Sequence, residues 1–318
     1  MQTYLVTGGA GFIGSNIVRA LLEQGKHVRV LDNFSTGKRE NLSAIHSEIE
    51  LIEGDIRDLD CVRKAANGVD VVLHQAALPS VPRSIEDPLT TNEVNVTGTL
   101  NVLLAARDAG ARRVVAASSS SVYGNSPTLP KSEDMPVEPL SPYAVSKLAA
   151  ERYCQSFSQV YGLPTIALRY FNVFGPYQDP TSFYSAVIPK FITMMLRGER
   201  PTINGDGCQT RDFTYIDNVV AANLLAAEAD PSIFGYFNAA CEDRISLLAL
   251  VDGINTLLAT ELQPVHGPSQ PGDVKDSQAS IAKIKSALGF APEMSFQEGL
   301  ARTVLFLRAQ MSSALLAI

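Results

Sequence analysis

The sequence predicts an α/β fold built on a doubly wound parallel sheet, and three observations support this class. Short apolar runs alternate with helical patterns along the first 175 residues, which is typical of β-α-β units. The first run, Thr3–Thr7, leads directly into a glycine-rich turn and a helix. The composition, 46% hydrophobic and 19% charged over 318 residues, suits a globular chain with a large core.

Composition and charge exclude several classes of function. The net charge of −7 provides no basic field for nucleic acid. No apolar run approaches the roughly 18 residues that a membrane span needs, and the chain runs directly into a strand without a signal peptide. We therefore expect a cytoplasmic protein with no nucleic-acid or membrane partner. The four scattered cysteines predict free, buried or partly buried thiols rather than disulfides or a metal site: Cys61, Cys154, Cys208 and Cys241.

Glycines at positions 8, 11 and 14 follow the first strand and open a helix that is predicted to reach about Gln24. They allow a tight turn, a close approach of the backbone to a pyrophosphate, and close helix–strand contact. The free N–H groups of the helix N-terminus then face the phosphates. A glycine run by itself can be only a turn, but its place between a strand and a helix predicts a dinucleotide site.

The second strand, His27–Leu31, ends in Asp32, 18 residues after Gly14. A carboxylate at this place accepts hydrogen bonds from an adenosine ribose and repels a 2′-phosphate, which favours NAD over NADP. Lys38 and Arg39 in the following loop leave NADP open as the alternative.

Two further strands bring polar residues to the same edge of the sheet. The third, Ile49–Ile52, precedes Asp55, which is predicted to contact the adenine edge, to cap a helix, or both. The fourth, Val69–Leu73, leads into small residues after Gln75, where a cofactor can pass closely. His74 is interpreted as a packed residue at the strand end rather than a catalyst.

A serine run follows the fifth strand, Arg113–Ala117, and a sixth strand spans Pro164–Tyr170. Hydroxyl groups at the carboxyl end of a parallel strand face the ligand crevice, although four serines can also form a polar turn. The serines lie just before a helix that begins at Ser141 and Pro142, a capping residue and a favoured first helical residue.

Tyr143 and Lys147 are four residues apart and therefore lie on one face of that helix. A phenol is a poor base at neutral pH, with an ordinary pKa of about 10. We expect the neighbouring ammonium to stabilise the phenolate and lower its pKa into a working range. A Tyr-x-x-x-Lys pattern alone is common on surface helices, so the surrounding motifs carry this interpretation.

The composition shifts after residue 175. Gly- and Pro-rich loops there separate helices predicted near residues 186–197, 217–228, 246–259 and 297–309. We predict an NAD-binding part over residues 1–175 and a mainly substrate-binding part over 176–318, interleaved in one compact subunit. Arginines in such loops suit a diphosphate.

Together the glycine spacing, the serine run, Tyr143-x-x-x-Lys147 and the segment 169–172 resemble the extended short-chain dehydrogenase/reductase superfamily, in particular its nucleotide-sugar 4-epimerases. The resemblance covers essentially the whole chain. It implies a Rossmann sheet holding NAD, a smaller C-terminal α/β part that binds a nucleotide-sugar, and a homodimer formed through a four-helix bundle of the helices near 95–109 and 143–160.

The resemblance also implies the roles of individual residues. Tyr143 matches the family's base, Lys147 its partner, and Ser119 the hydroxyl that binds the 4-oxygen of the sugar. Related dehydratases have an Asp-Glu pair at the next two positions, where this chain has Ser120 and Ser121, which argues against dehydration.

A finer resemblance points to bacterial 4-epimerases of N-acetylated UDP-hexosamines. It rests on the segments 75–84, 171–175 and 186–190. In that family a small residue four positions after a Gly-Asp pair leaves room for the N-acetyl group, and Ser277 occupies that position here. The chain departs from the family at Gln270, where an arginine usually contacts the diphosphate.

The expected site follows from these motifs and from the resemblance. The residues expected to bind the cofactor are Gly8, Gly11, Phe12, Ile13, Gly14, Asp32, Asn33, Asp55, Ile56, Gln75, Ala76, Ala77, Asn95, Tyr143, Lys147 and Tyr170. The residues expected to bind the substrate are Ser80, Arg83, Ser119, Ser120, Ser121, Tyr143, Asn172, Ala186, Val187, Lys190, Asn204, Arg211, Arg244, Asp273 and Ser277.

These features predict an NAD-dependent 4-epimerase that interconverts UDP-N-acetylglucosamine and UDP-N-acetylgalactosamine, with UDP-glucose and UDP-galactose as further substrates. The alternatives are an epimerase or decarboxylase of UDP-glucuronate, another nucleotide-sugar oxidoreductase, and a non-catalytic NAD-binding sensor.

Overall fold

A computed structural model describes residues 2–180, 186–268 and 275–316 of the chain. Its strands, in chain order, are β1 (Thr3–Thr7), β2 (His27–Asp32), β3 (Glu50–Glu53), β4 (Val71–His74), β5 (Arg113–Ser119), β6 (Thr165–Tyr170), β7 (Val173–Phe174), β8 (Thr202–Asn204), β9 (Thr210–Arg211), β10 (Thr214–Tyr215), β11 (Gly235–Ala239), β12 (Ile245–Ser246) and β13 (Val265–Gly267).

The helices are α1 (Phe12–Glu23), α2 (Leu59–Ala66), α3 (Val81–Glu86), α4 (Pro88–Asn92), α5 (Gly98–Asp108), α6 (Pro142–Tyr161), α7 (Val187–Leu196), α8 (Ile216–Glu228), α9 (Leu247–Leu258), α10 (Ala282–Leu288) and α11 (Phe296–Leu316). A π-helical stretch, Glu93–Thr97, joins α4 to α5, and 3₁₀ segments cover Arg39–Glu48 and Ser120–Tyr123.

Seven parallel strands form the central sheet in the order β11-β6-β5-β4-β1-β2-β3. The chain winds outward in both directions from β1, so the strand order reverses between β1 and β4. In open α/β sheets this switch point, at the carboxyl ends of the strands, is where ligands bind.

Successive side chains of the strands supply two cores, one on each face of the sheet. Tyr4 and Val6 of β1 belong to one cluster, whereas Leu5 belongs to the other. Helices α1 and α8 contact each other, and α2, α5 and α6 form a second contacting group. Burial on both faces explains why these strands read as continuous apolar runs.

The six predicted strands and the doubly wound class are confirmed. The seventh strand, β11, comes from the later half of the chain and pairs with β6 from Gly235↔Ile166 to Ala239↔Tyr170. Its five residues, GYFNA, include a glycine and an asparagine, so no local pattern predicted a buried strand.

Most of the chain after residue 175 forms helices and short strand pairs. Helices α7, α9 and α11 contact one another, and three two-stranded sheets join β7 to β10, β9 to β12, and β8 to β13. The four predicted helices are present, with α11 continuing to Leu316. Within the described residues, no helix is long and apolar enough to cross a membrane. The four cysteines are free thiols, but Cys208 is exposed rather than partly buried, because it lies in the turn between β8 and β9.

Candidate active site

A cavity of about 830 Å³ opens at the carboxyl ends of β1, β2, β4 and β5. Of the residues predicted to bind a cofactor, all except Asn95 line it. Of those predicted to bind the substrate, Ser80, Arg83, Tyr143 and Ala186 line it as well. The cavity therefore brings together motifs that lie far apart in the sequence.

The glycine turn is closely packed. Gly8 has a φ of +69°, and a β-carbon there would lie 2.7 Å from the Cα of Ala76. A β-carbon at Gly14 would lie 2.8 Å from the Cα of Gly9 and closer still to the carbonyl oxygen of Gly8. Only glycine lets α1 start this close to β1, so its free N–H groups border the cavity.

Asp32 is buried at the end of β2. Its carboxylate accepts hydrogen bonds from the backbone N–H of Ala10, at 2.9 Å, and of Phe34, at 2.8 Å. Burial raises the pKa of Asp32, while these two N–H groups act in the opposite direction. Lys38 forms an ion pair of 2.9 Å with Asp179, and Arg39 forms one with Glu53. Both cations near Asp32 thus have carboxylate partners.

Asp55 lines the cavity but does not cap the following helix. The cap of α2 is Asp58, whose carboxylate accepts from the N–H groups of Asp60 and Cys61. Asp55 instead accepts hydrogen bonds from Arg57, at 2.8 Å, and from the Asn33 side chain, at 2.9 Å. The hydrogen bond from Arg57 is the main reason that the pKa of Asp55 falls to about 2, so it is a carboxylate at neutral pH.

Helix α6 presents Tyr143 and Lys147 to the cavity. Ser141 caps the helix by accepting from the N–H of Ala144 at 3.2 Å, as predicted. The Lys147 ammonium donates to the carbonyl oxygen of Ala117 at 3.0 Å. Burial lowers the pKa of Lys147 to about 8.

The pKa of Tyr143 is raised, not lowered. Burial raises it, and a hydrogen-bonding contact with Ser119 acts in the opposite direction. Lys147 is not among the causes of the Tyr143 pKa shift; its ammonium donates to Ala117, and its charge lowers the pKa of His74. Burial thus favours the protonated phenol, and the Ser119 hydroxyl favours the phenolate.

The serines that follow β5 make different hydrogen bonds. Ser118 lines the cavity and donates to Glu151 at 3.0 Å. Ser119 accepts from the N–H of Ser121 at 3.2 Å and from its hydroxyl at 2.9 Å, which caps the Ser120–Tyr123 segment. The run is thus a polar turn of which Ser118 lines the cavity, whereas Ser119, Ser120 and Ser121 lie outside the cavity lining.

His74 is a packed residue, as predicted. Its ring nitrogens contact the hydroxyl of Thr7 at 2.7 Å and that of Thr99 at 3.0 Å. Burial, followed by the charge of Lys147, lowers its pKa to about 3, so the ring is neutral across the physiological range.

Asn95 lies behind the cavity wall instead of lining it. Its side-chain oxygen accepts from the N–H of Leu78 at 2.7 Å, and its amide donates to the Leu78 carbonyl at 3.2 Å and to Ser146 at 3.0 Å. Through these bonds Asn95 holds the loop after β4 against α6.

A second network, which the sequence did not predict, centres on Asn223 of α8. The Tyr170 hydroxyl contacts Gln75 and Asn223 at 3.0 Å each, and Gln75 donates to Asn223 at 3.1 Å. Asn223 is fully buried and thus sets the orientation of two cavity-lining side chains. The available signal was an asparagine in the middle of the apolar stretch VVAANLLAA of α8.

Among the residues predicted to bind the substrate, Asn172 and Ser277 form one group, and Arg211 and Arg244 form another. Asn172 donates to the Ser277 hydroxyl at 3.3 Å, which places these two half-buried residues side by side. Arg211 lies opposite Ile245 in the β9–β12 pair and donates to the carbonyl of Lys275 at 3.0 Å. Arg244 donates to Thr210 at 3.1 Å and pairs with Asp276 at 3.1 Å.

Three further residues that were predicted to bind the substrate also lie outside the cavity lining. Lys190 and Asn204 are exposed, and Val187 is half-buried at the start of α7. Asp273 and Gln270 lie outside the described residues.

The sequence did not predict that the segment of residues 176–179 borders the cavity. Tyr177, Gln178 and Asp179 line the cavity. The Asn16 side chain donates to the Pro176 carbonyl at 3.1 Å, and the guanidinium of Arg19 lies 3.9 Å from the centre of the Tyr177 ring. These contacts join the chain after β7 to α1.

The residues of the cavity fit a dinucleotide such as NAD. The glycine cradle would be filled by added β-carbons, the N-terminus of α1 borders it, and a buried carboxylate ends β2.

Comparison with known proteins gives a consistent result. Residues 4–239 match the family described as NAD dependent epimerase/dehydratase. The UDP-N-acetylglucosamine 4-epimerase from Methanobrevibacter ruminantium M1, solved with UDP-N-acetylmuramic acid, is 42% identical, with 98% of this chain and 99% of that chain covered and a TM-score of 0.93. The UDP-glucose 4-epimerase of Mycolicibacterium smegmatis is 40% identical over 96% of this chain and 98% of its own length.

Relatives with other ligands match at similar levels. The UDP-glucose 4-epimerase of Thermus thermophilus, solved with NAD, is 36% identical with a TM-score of 0.87, covering 96% of this chain and 99% of that chain. A UDP-glucuronate 4-epimerase of Thermodesulfobacterium geofontis is 35% identical over 96% of this chain and 95% of its own length. The chain therefore belongs to the NAD dependent epimerase/dehydratase family.

Proposed function

We propose that this member of the epimerase/dehydratase family is a UDP-sugar 4-epimerase whose main substrates are UDP-N-acetylglucosamine and UDP-N-acetylgalactosamine. The observation that carries the proposal is the contact between Tyr143 and Ser119 at a cavity lined by the glycine turn and Lys147. A phenol and a hydroxyl placed together suit a single sugar oxygen that gains and loses a proton.

The proposed chemistry is a reversible oxidation at C4 of the sugar. When bound, NAD would supply a reversible hydride acceptor and a positively charged ring, with no net consumption of NAD. The glycine turn, Asp32 and Lys147 would hold it. As a phenolate, Tyr143 takes the proton from the 4-hydroxyl and later returns it, while Ser119 hydrogen-bonds the same oxygen. The sugar passes through a 4-keto form that presents its other face before reduction.

Two features of the chain favour epimerisation over dehydration and over a non-catalytic role, and NAD consumption would distinguish a simple dehydrogenase. Ser120 and Ser121 stand where dehydratases of the resembled family have an acid–base pair. A simple dehydrogenase would consume NAD in equal amounts to its product. A non-catalytic sensor has no need for the Ser119, Tyr143 and Lys147 arrangement.

The preference for N-acetylated sugars is supported by Ser277. Its hydroxyl accepts a hydrogen bond from Asn172, and the side chain is half-buried. A tyrosine at this position would fill space that a serine leaves open. The match to a UDP-N-acetylglucosamine 4-epimerase is in line with this steric argument.

A test of this function is NMR of the purified protein with UDP-N-acetylglucosamine and no added cofactor. We expect UDP-N-acetylgalactosamine to appear and approach an equilibrium mixture. UDP-glucose and UDP-glucuronate are measured in parallel under the same conditions. Turnover of UDP-glucose or UDP-glucuronate alone would contradict the proposed substrate, and no turnover of any, even with added NAD, would contradict the proposed function.

We also propose a homodimer that buries α6 of each subunit. Val145 and Val160 on α6 are 52% and 68% exposed, and Ile85 and Leu89 on α3 and α4 are 65% and 69% exposed. These exposed apolar side chains support an interface that includes α6 with α3 and α4 beside it, and the four-helix bundle of α5 and α6 stays a prediction. Light scattering is expected to give twice the mass of 34.2 kDa. A Val160→Lys variant is expected to dissociate; a monomeric wild-type protein would contradict the proposal.

A further inference from the structure

A buried ion pair lies directly behind the cavity wall. Arg169, near the end of β6, and Glu151, on α6, have fully buried side chains. Two parallel bonds join them, with 2.6 Å between Arg169 Nη2 and Glu151 Oε1 and 2.9 Å between Nε and Oε2. This two-bond geometry fixes both position and orientation.

The same carboxylate reaches a second strand. The Ser118 hydroxyl donates to Glu151 Oε2 at 3.0 Å. Ser118 stands opposite Arg169 in the pairing of β5 with β6, and it lines the cavity. Glu151 therefore fastens α6 to the carboxyl ends of two adjacent strands at once.

The position of α6 along these strands decides whether the reactive groups meet. Tyr143, Lys147 and Glu151 follow each other at four-residue intervals and share one face of α6. Ser119, next to Ser118, contacts Tyr143. A shift of α6 against β5 would thus separate the serine hydroxyl from the phenol.

Stability alone does not call for such a pair. Replacing a buried ion pair by apolar residues of similar size is often neutral or stabilising. The other fully buried arginine of this sheet, Arg113, has no carboxylate in its hydrogen bonds; it donates to the carbonyl groups of Ile233, Ala229 and Asp230 at 2.8 to 3.1 Å. Arg113 lies at the amino end of β5, away from the cavity.

We infer that Glu151 is a positioning residue: through Ser118 and Arg169 it holds α6 in register with β5 and β6 and so aligns Tyr143 with Ser119. This inference rests on the proposed function for its kinetic readout. The residue acts through its neighbours and touches neither sugar nor cofactor.

The test is the double variant Glu151→Leu with Arg169→Met. An apolar pair should keep the fold, but the link to Ser118 is lost. We expect kcat to fall at least ~10-fold with KM changed less than about 3-fold, since a misplacement of 1 Å can cost about 10²-fold in rate. The control is Arg113→Met, which should lower the Tm and leave kcat unchanged well below that Tm.

A stable double variant with wild-type kcat would overturn the inference. If the double variant does not fold, Ser118→Ala removes only the hydroxyl link and is expected to lower kcat in the same direction; wild-type kcat there would overturn it equally. Crystal structures give a readout independent of substrate: the Ser119–Tyr143 hydroxyl separation should lengthen in the variants. If wild type shows no epimerisation, the proposed function fails, while this separation still decides the inference.

Discussion

The cofactor side and the proposed sugar side of the site are built differently. Around the glycine turn, the backbone itself forms the surface, and neighbouring side chains such as Asp32 are buried and fixed by backbone N–H groups. On the proposed sugar side, Arg211 lies on β9 and Arg244 lies just before β12. Their guanidinium groups bond to Lys275 and Asp276 respectively. The first region is rigid by packing, whereas the second is held by side-chain hydrogen bonds.

This difference predicts two kinds of response to mutation. Changes at the cofactor side and at the catalytic helix should abolish turnover or cofactor retention for every substrate. Changes at the sugar side should alter which substrate is used while chemistry continues.

The largest effect is expected at the junction of the two sides. Tyr143→Phe removes the proton-transferring hydroxyl but keeps the ring, so kcat should fall at least ~10²-fold, the low end for general acid–base catalysis. NAD should remain bound, which absorbance and mass spectrometry of the denatured protein can check. Turnover close to wild type in this variant would remove Tyr143 from the mechanism.

Gly14→Ala should disrupt the binding of the cofactor. The added β-carbon would meet the Gly8–Gly9 backbone, so we expect the protein to purify without bound NAD and to need added NAD for turnover. The matched control is Gly253→Ala, at another helical glycine, because the added β-carbon would meet only a side-chain methyl group of Leu300, at 3.0 Å. Full retention of NAD by Gly14→Ala would contradict a close-packed phosphate cradle.

Ser277→Tyr should change the sugar side alone. The phenol would occupy the space beside Asn172, so we expect kcat/KM for UDP-N-acetylglucosamine to fall at least ~10-fold relative to UDP-glucose. Ser277→Ala, which removes the hydroxyl but adds no bulk, should leave this ratio near its wild-type value. An equal effect of Ser277→Tyr on both substrates would refute the steric argument.

The smallest effect is a pH dependence that separates activity from stability. With the pKa of Lys147 at about 8, its ammonium is lost above that pH, and kcat should decline. In the unfolded chain the lysine keeps its proton to about 10.4, so between these values unfolding takes up a proton and the Lys147 contribution to the free energy of unfolding rises with pH.

The check compares wild type with Lys147→Met in denaturant titrations at pH 7 to 10. The free energy of unfolding of wild type should gain on that of the variant through this window, while the wild-type kcat declines. A difference that moves in the opposite direction would place the lysine pKa elsewhere.

Local motifs predicted the cofactor side well, because a strand, a glycine turn and a helix follow one another in the chain. Gly8, Gly14 and Asp32 were found from spacing alone, since the sheet brings strand ends together. Asn95 lies behind the cavity wall because the direction of a helical side chain depends on what packs against it. The pKa of Tyr143 was misjudged because sequence does not show how deeply the phenol is buried.

Contacts between residues that lie far apart in the chain could not be predicted from the sequence for the same reason. Asp179 reaches the cavity only through tertiary packing, and no local pattern marks it. Asn223 was marked by its place among apolar residues of α8, but its partners Gln75 and Tyr170 were not. Glu151 offered a signal that was available, since it lies one helical turn after Lys147 on the same face. Asn172 and Ser277 were predicted to bind the substrate from family resemblance, not from spacing.

The most direct test of the central claim uses UDP-N-acetylglucosamine carrying deuterium at C4, with turnover followed by NMR in ordinary water. A reversible oxidation at C4 returns the same hydride to the same carbon, so we predict UDP-N-acetylgalactosamine with its deuterium retained at C4 and no label lost to solvent. Product with hydrogen from water at C4 would show that the proton, rather than a hydride, leaves that carbon, and it would contradict the proposed role of NAD and Tyr143.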